Sequence, residues 1–329
     1  MELCKLAFRD VPGAEISDLE LRRGGRSYTA DTLEQLMGEW PGAEFTLLLG
    51  TDMFLKLEEW YRFPFLAANC RFVVLSRDEG GDRETEAMRE RLAARYGARV
   101  TVLAHTPLPV SSGEVRRKLR ARLGSELLDG RVYAEVIRRG YYEARPELCW
   151  LRERAAELLK PSRIAHVAGC ESEAVLLAHR WGEDGDTAAE AAILHDITKK
   201  RNLDEQLILC EKYGIIPDEA ERRNPQLLHA KTGAWLARER FGVSEAVFSA
   251  IFWHTTGKPD MTLLEKIIYL ADMIEPTRTF DGVEELRRLC YEDIDRAMAA
   301  ALSHSLEHIR AGNIEPHRNS VEAYLWYTT

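Results

Sequence analysis

Hydrophobic positions change their spacing midway along the chain. In the first half, short continuous apolar runs occupy Phe45–Leu49, Arg71–Leu75 and Arg99–Leu103, the first ending at Gly50. Continuous rather than alternating runs of this length predict strands of a parallel sheet buried on both faces. Helical spacing lies around them: Leu3, Leu6 and Ala7 share one face, and Thr29–Trp40 and Glu84–Tyr96 read as helices. Strands alternating with helices predict an α/β fold.

The second half carries no strand pattern. It predicts consecutive helices over about Pro146–Lys160, Arg163–Trp181, Thr187–Lys199, Leu203–Tyr213, Pro225–Phe241, Ser244–Thr255, Thr262–Ile274 and Val283–Ala311, with breaks at Pro161, Gly182–Gly185, Gly214, Gly242 and Gly257. The stretch YYEARPELC marks the change, and Pro146 suits a first helical turn. The expectation is an α/β domain over residues 1–145 and an all-α helical bundle over residues 146–329, without internal repeats.

Composition narrows the class. A chain of 329 residues has room for two cores. A net charge of −9 argues against coating nucleic acid, which needs a basic face. It does not exclude a small anionic ligand, because a metal can supply local positive charge. The six cysteines are scattered without a CxxC pair, as in a reduced, cytoplasmic protein. Met1–Arg9 lacks the apolar core of a signal peptide, and no run approaches a membrane span.

The chemistry lies in the histidines and aspartates of the helical half. His166 stands in RIAHVAG, His195 and Asp196 in ILHDITKK, His229 in LLHAKTG, His254 in FWHTTG and Asp272 in YLADMIEP. Each falls on, or at the end of, a predicted helix. Asp272 shares a stripe with Leu264 and Ile268, and His254 a face with Val247 and Ile251. A carboxylate turned toward an apolar core is costly unless it is paired or bound to a cation. The small Ala188, Ala189, Ala191 and Ala192 would let neighbouring helices approach the HD pair closely. Side chains adjacent on a helix diverge by about 100°, but at a helix end both can converge on one centre. A lone buried histidine is more often a hydrogen-bonded core residue; the ordered set carries the signal. Four imidazoles and two carboxylates suit two borderline metals (iron, manganese, cobalt or zinc) better than calcium. Two such ions roughly 3.5–4 Å apart can clamp a phosphate and activate water. His179, His304, His308 and His317 are expected to be structural or on the surface.

Charged and polar neighbours extend the set. Lys199, three residues after Asp196, could meet phosphate or hold a ligand, or be a solvated lysine beside Lys200. Arg163 and Arg278 are phosphate-contact candidates whose other reading is a salt bridge. Thr255, Thr256 and Gly257 could cradle phosphate or simply stop a helix.

The segments RIAH, LHDITK, WHTTGKP and LLEKIIYLADMIEPTR resemble the bacterial HD-superfamily hydrolases that split diadenosine tetraphosphate symmetrically into two ADP, from about Glu147 to the end. The resemblance implies that His166, His195, Asp196, His229, His254 and Asp272 are all metal ligands with Asp196 bridging. It implies iron first, with manganese and cobalt as alternatives, and catalytic roles for Asp196 and Lys199. Arg163, Lys199, Thr255, Thr256, Gly257 and Arg278 would contact substrate.

In the first half, GRSYTADTL, LLLGTDMFLKLEEW and VSSGEVRRKL resemble the later part of bacterial nicotinate-nucleotide adenylyltransferases, which have a Rossmann-like fold. The match spans almost all of residues 1–142. It implies that Tyr28, Thr29, Asp52 and Trp60 surround a pyridine nucleotide. Ser111, Ser112 and Arg116 would line ATP phosphates at a helix N-terminus, where backbone N–H groups favour anions. By themselves, Trp60 also reads as core, and Asp52 and the serine pair as helix caps. Gly113 stands where the family has threonine, and the family's H-x-G-H loop is absent; His105, in LAHTPLP, forms no such motif. The implied domain lacks its first strand and is catalytically incomplete, through truncation, a misassigned gene start or degeneration. Its exposed sheet edge would favour partner association or weak stability.

The expected function is thus a metal-dependent dinucleoside polyphosphate hydrolase. The alternatives are a bifunctional enzyme that also makes nicotinate adenine dinucleotide for NAD biosynthesis, another HD nucleotidase, or a non-catalytic nucleotide sensor. The expected partner is a small nucleotide, with a homodimer as a candidate assembly and neither nucleic acid nor a membrane involved.

Overall fold

The three apolar runs do form strands. In the computed structural model, which describes residues 1–76, 83–104, 106 and 110–329, they become β1 (Phe45–Gly50), β2 (Cys70–Ser76) and β3 (Arg99–Ala104). His105 lies outside the described residues. The strands pair in parallel in the order β1-β2-β3, with Leu47 opposite Phe72 and Phe72 opposite Val100. The connecting helices are α1 (Glu2–Ala7), α2 (Leu19–Arg23), α3 (Thr29–Glu39), α4 (Thr51–Phe54), α5 (Phe63–Asn69) and α6 (Arg83–Tyr96). Phe54, Leu57, Phe63, Leu66, Phe72 and Leu92 close one core. β1 departs from the expectation of burial on both faces. Successive side chains leave a strand on opposite sides, so Leu49 is buried while Leu48 stays 65% exposed. The unit, Met1–Ser111, is a small parallel α/β sheet, and the Rossmann-like expectation is met to that extent.

The second compact unit, Ser112–Thr329, begins ahead of the 145/146 boundary that the sequence suggests. Its first helices, α7 (Ser112–Arg120) and α8 (Gly130–Arg139), are stapled to the helical bundle. Val132, Tyr133, Val136 and Ile137 form the buried face of α8. The Tyr133 hydroxyl accepts from Glu147 N at 2.8 Å, and its ring meets Trp150 edge-on. Arg122, 8% exposed, donates to Glu190 Oε2 at 2.7 Å and to Pro146 O at 3.1 Å. Sequence similarity grouped this segment with the sheet; its side chains bind it to the bundle.

The bundle continues through α9 (Leu148–Leu158), α10 (Ile164–Trp181), α11 (Gly185–Leu194), α12 (Leu203–Tyr213), α13 (Glu219–Arg223), α14 (Pro225–Phe241), α15 (Glu245–Trp253), α16 (Leu263–Ile274), α17 (Val283–Glu292), α18 (Ile294–Ala311) and α19 (Arg318–Thr328). The four alanines of α11 are fully buried, which seats that helix in the middle of the core. The predicted Thr187–Lys199 helix stops early, so His195 is the C-cap of α11 and turns follow. The predicted Val283–Ala311 helix divides at Asp293, whose extended backbone lets its side chain accept from Arg296 N and start α18. Helices α13 and α19 were not anticipated. Among the described residues no helix is long and apolar enough to cross a membrane. The six cysteines are free.

Candidate metal centre

Local helix chemistry sets the state of each imidazole. His195 and His254 cap the C-termini of α11 and α15, where last-turn carbonyls lack helical partners. His195 Nδ1 lies 2.6 Å from Ala192 O, His254 Nδ1 2.7 Å from Ile251 O, and His229 Nδ1 2.7 Å from Gln226 O. A carbonyl oxygen can only accept, so each Nδ1 carries the proton and each Nε2 presents a bare lone pair. His166 repeats the arrangement with a carboxylate, its Nδ1 2.9 Å from Glu275 Oε1.

These lone pairs converge on two carboxylates. Asp196 Oδ1 lies 3.2 Å from His229 Nε2 and 3.8 Å from His254 Nε2, while its Oδ2 lies 3.6 Å from His195 Nε2 and 3.9 Å from His166 Nε2. Asp272 Oδ1 lies 3.1 Å from His166 Nε2. The Nε2 atoms of His229 and His254 are 3.0 Å apart. Asp196 is 0% exposed, and its Oδ1 and His195 Nε2 are buried without a hydrogen-bond partner. His229 is close enough to Asp196 Oδ1, but its proton is on the other nitrogen. Lone pair facing lone pair in a buried site is repulsive unless a cation lies between them. The donor set therefore fits metal binding, and the six sequence candidates come together around it.

Burial pushes His195 down to about 4 and His229 to about 3, with Lys199 adding to the effect at His229. Asp196 lies well below its ordinary value although burial opposes its ionisation. Asp272 is also held well below its ordinary value against burial, with the Arg278 guanidinium among the causes. Neutral imidazoles and ionised carboxylates at neutral pH are the forms that bind metals.

Three cationic side chains rim the centre. Arg163 pairs with Asp196 Oδ2, and Arg278 pairs with Asp272, also donating from Nε to the Asp272 backbone oxygen at 2.8 Å. Lys199 Nζ is 3.2 Å from His229 Nε2 and 4.0 Å from Asp196 Oδ1, although residues 195–200 form turns rather than the expected helical face. Thr255 Oγ1 reaches within 3.3 Å of His254 Nε2. Thr256 is buried and donates to Gly257 O. Gly257 has φ +65°, and its N–H bonds Trp253 O at 2.8 Å, so it ends α15. Of that turn, only Thr255 faces the centre in this structure.

The N-terminal candidates divide between the two units. Thr29 opens α3 after Tyr28, whose ring lies 4.5 Å from Tyr61. Asp52 sits in the first turn of α4, and Trp60 packs half-buried on the core of the sheet. Ser111 ends the first unit; Ser112 opens α7, and Arg116 stacks on Tyr142 in the second.

Two neighbours escaped the sequence reading. Cys170, four residues after His166, places Sγ 3.4 Å from His166 Nε2. Glu275, three after Asp272, orients His166 and is itself fixed by Thr277 N at 2.7 Å. Its helix approaches α10 so closely that a Cβ on Gly169 would lie 2.7 Å from Glu275 Oε2. Their spacings were visible; what they face was not. Orienting carboxylates tune ligand basicity. Glu275→Gln should weaken metal affinity by roughly 10–100-fold. Metal titration of the purified variant measures this, and unchanged affinity would remove Glu275 from the site.

The centre lies in a region that matches known proteins. The HD domain family matches residues 163–277, which contain all six converging residues. A solved structure titled a predicted HD superfamily hydrolase involved in NAD metabolism, from Clostridium acetobutylicum, superposes with a TM-score of 0.54 at 34% identity, over 56% of this chain and 98% of that one. The helical half is thus an HD-class hydrolase domain. A symmetrical bis(5'-nucleosyl)-tetraphosphatase of Bacillus subtilis is 38% identical over 182 residues, covering 53% of this chain and 96% of that protein. The chain belongs to the family of symmetrical bis(5'-nucleosyl)-tetraphosphatases. A probable nicotinate-nucleotide adenylyltransferase/Ap4A hydrolase of Mycoplasma pneumoniae extends the similarity to 92% of this chain and 83% of that protein, at 24% identity.

Proposed function

We propose that the helical unit hydrolyses dinucleoside polyphosphates, cleaving diadenosine tetraphosphate into two ADP, at a two-metal centre held by His166, His195, Asp196, His229, His254 and Asp272. Asp196 faces all four imidazoles and is the natural bridge between two ions. Iron is the first expected metal, with manganese and cobalt as alternatives. The observation that carries the reading is the set of buried, proton-free Nε2 atoms aimed at two ionised carboxylates. When bound, the ions would polarise phosphate and activate water.

The chain's own residues supply the rest. Arg163 and Arg278 are held by the same carboxylates that would hold cations. With those carboxylates engaged, both guanidinium groups and the Lys199 ammonium become available to phosphate oxygens. Water would add at an inner phosphorus, and the anhydride bond would break so that the leaving ADP keeps the bridging oxygen. Thr255 would orient the phosphate chain. A panel of dinucleoside polyphosphates, nucleotides and alarmones, assayed with metal quantified on the same preparation, tests this. ADP should be the sole nucleotide product from diadenosine tetraphosphate; ATP plus AMP, or no turnover with metal bound, would defeat it.

The fused Mycoplasma relative's name supports a second reading, nicotinate-nucleotide adenylyl transfer by the sheet domain. These 329 residues contain no H-x-G-H motif. We therefore expect no nicotinate adenine dinucleotide from ATP and nicotinate mononucleotide with this chain, and its formation would establish a second activity.

A further inference from the structure

Among the described residues, the HD centre has a sulfur neighbour, Cys170, on one side. We propose that Cys170 is a thiolate ligand to one cation, sharing it with His166, His195 and Asp272. This rests on the metal-dependent reading above and adds a residue to it.

Cys170 lies one helical turn beyond His166, so both project from the same face of α10. Its Sγ is nearer to His166 Nε2, at 3.4 Å, than to Nδ1, at 4.0 Å. The nearer nitrogen is the one with the free lone pair, and Asp272 Oδ1 faces it too at 3.1 Å. One ligand atom from each of His166, Cys170, His195 and Asp272 lies within 4.8 Å of the others. With metal–sulfur and metal–nitrogen bonds of about 2.3 and 2.0 Å, two ligands are about 3.5 Å apart in a tetrahedron and about 3.0 Å apart at right angles. The observed sulfur–nitrogen spacing falls within that interval.

A second observation lies beside the sulfur. His195 Nε2, shared between this set and the Asp196–His254 group, is buried and has no hydrogen-bond partner. A thiol donating to His166 would explain the sulfur alone. It would leave Asp272 facing an imidazole lone pair. On metal binding the thiol proton passes to solvent, as for any coordinating cysteine.

The two halves of the centre then differ in kind. Asp196, His229 and His254 offer only nitrogen and oxygen, whereas the Cys170 half adds a soft donor. Thiolate favours zinc, iron(II) or cobalt over manganese and magnesium. The structure thereby supplies a basis for metal selectivity within one half of the pair.

Cobalt(II) loading of the full chain tests this by spectroscopy. The wild type should show sulfur-to-cobalt charge-transfer absorption in the near ultraviolet. Cys170→Ser and Cys170→Val should lose that band while cobalt remains bound, and the zinc-over-manganese preference should fall by roughly tenfold or more. Removing the exposed thiols with Cys4→Ser and Cys149→Ser should leave the band intact. Should the Cys170 variants fail to fold, X-ray absorption on the cobalt-loaded wild type should count one sulfur at about 2.3 Å. Cobalt bound with only nitrogen and oxygen neighbours, or a band undiminished in Cys170→Val, overturns the thiolate ligand while leaving the metal centre standing. A wild-type chain that binds no cobalt, iron, manganese or zinc overturns both.

Discussion

Asp196→Asn should cut hydrolysis about a thousandfold while leaving the metal-free fold about as stable as the wild type. The carboxylate is fully buried, and its Oδ1 has no hydrogen-bond partner. Without a cation that arrangement costs folding free energy. The amide of asparagine could donate to the His229 lone pair 3.2 Å from Oδ1, and its oxygen would still accept from Arg163. One recovered hydrogen bond contributes about 1 kcal/mol. A neutral amide cannot bridge two cations. Turnover should fall by about three orders of magnitude, or about 4 kcal/mol at 1.36 kcal/mol per tenfold. Metal per chain should drop in the same preparation. Denaturant unfolding after chelation measures the first effect and product release the second. Retained activity would remove Asp196 from the centre, and a metal-free variant several kcal/mol less stable would make its role structural. The expected pattern is a site that costs stability in return for chemistry.

Arg122→Ala should have the largest effect on stability. Arg122 and Glu190 form a buried pair whose side chains are 8% and 7% exposed. Removing one member of such a pair leaves an uncompensated buried charge and costs about 3–5 kcal/mol. Arg122 already has φ 57°, so alanine brings no new backbone strain of its own. Burial pushes Glu190 up, and Arg122 opposes that shift. Without Arg122 the carboxyl should rise further. A carboxylate raised in the folded state contributes stability that is present below its unfolded pKa and is lost as pH rises. The variant's deficit should therefore be full at pH above the raised value and shrink as pH falls below it toward the ordinary carboxylate value. The double change Arg122→Met, Glu190→Gln should recover most of the loss. Unfolding at two pH values checks both statements; a small, pH-independent loss would show that the pair does not hold α7 and α8 to the bundle.

The amino-acid sequence alone indicated the three strands, most helices of the bundle and the six histidines and aspartates proposed for the centre. Strand runs ending at Gly50 and helices broken at Gly182, Gly214 and Gly242 are local patterns, set by backbone sterics and side-chain periodicity. His166, His195, Asp196, His229, His254 and Asp272 were legible because their residue types recur at helix ends beside apolar faces. Tertiary structure decided the rest, because it depends on contacts between distant parts of the chain. Glu275 sets the tautomer of His166 from 109 residues away. Arg122 reaches Glu190 across 68 residues, which carries α7 and α8 into the helical unit that similarity had assigned to the sheet domain. Arg163 and Arg278 read as phosphate contacts or salt-bridge partners, and the fold set each against a carboxylate of the centre. Cys170 was one of six scattered thiols until α10 packed it against the centre. Helical spacing places a residue on a face; only packing determines what that face meets.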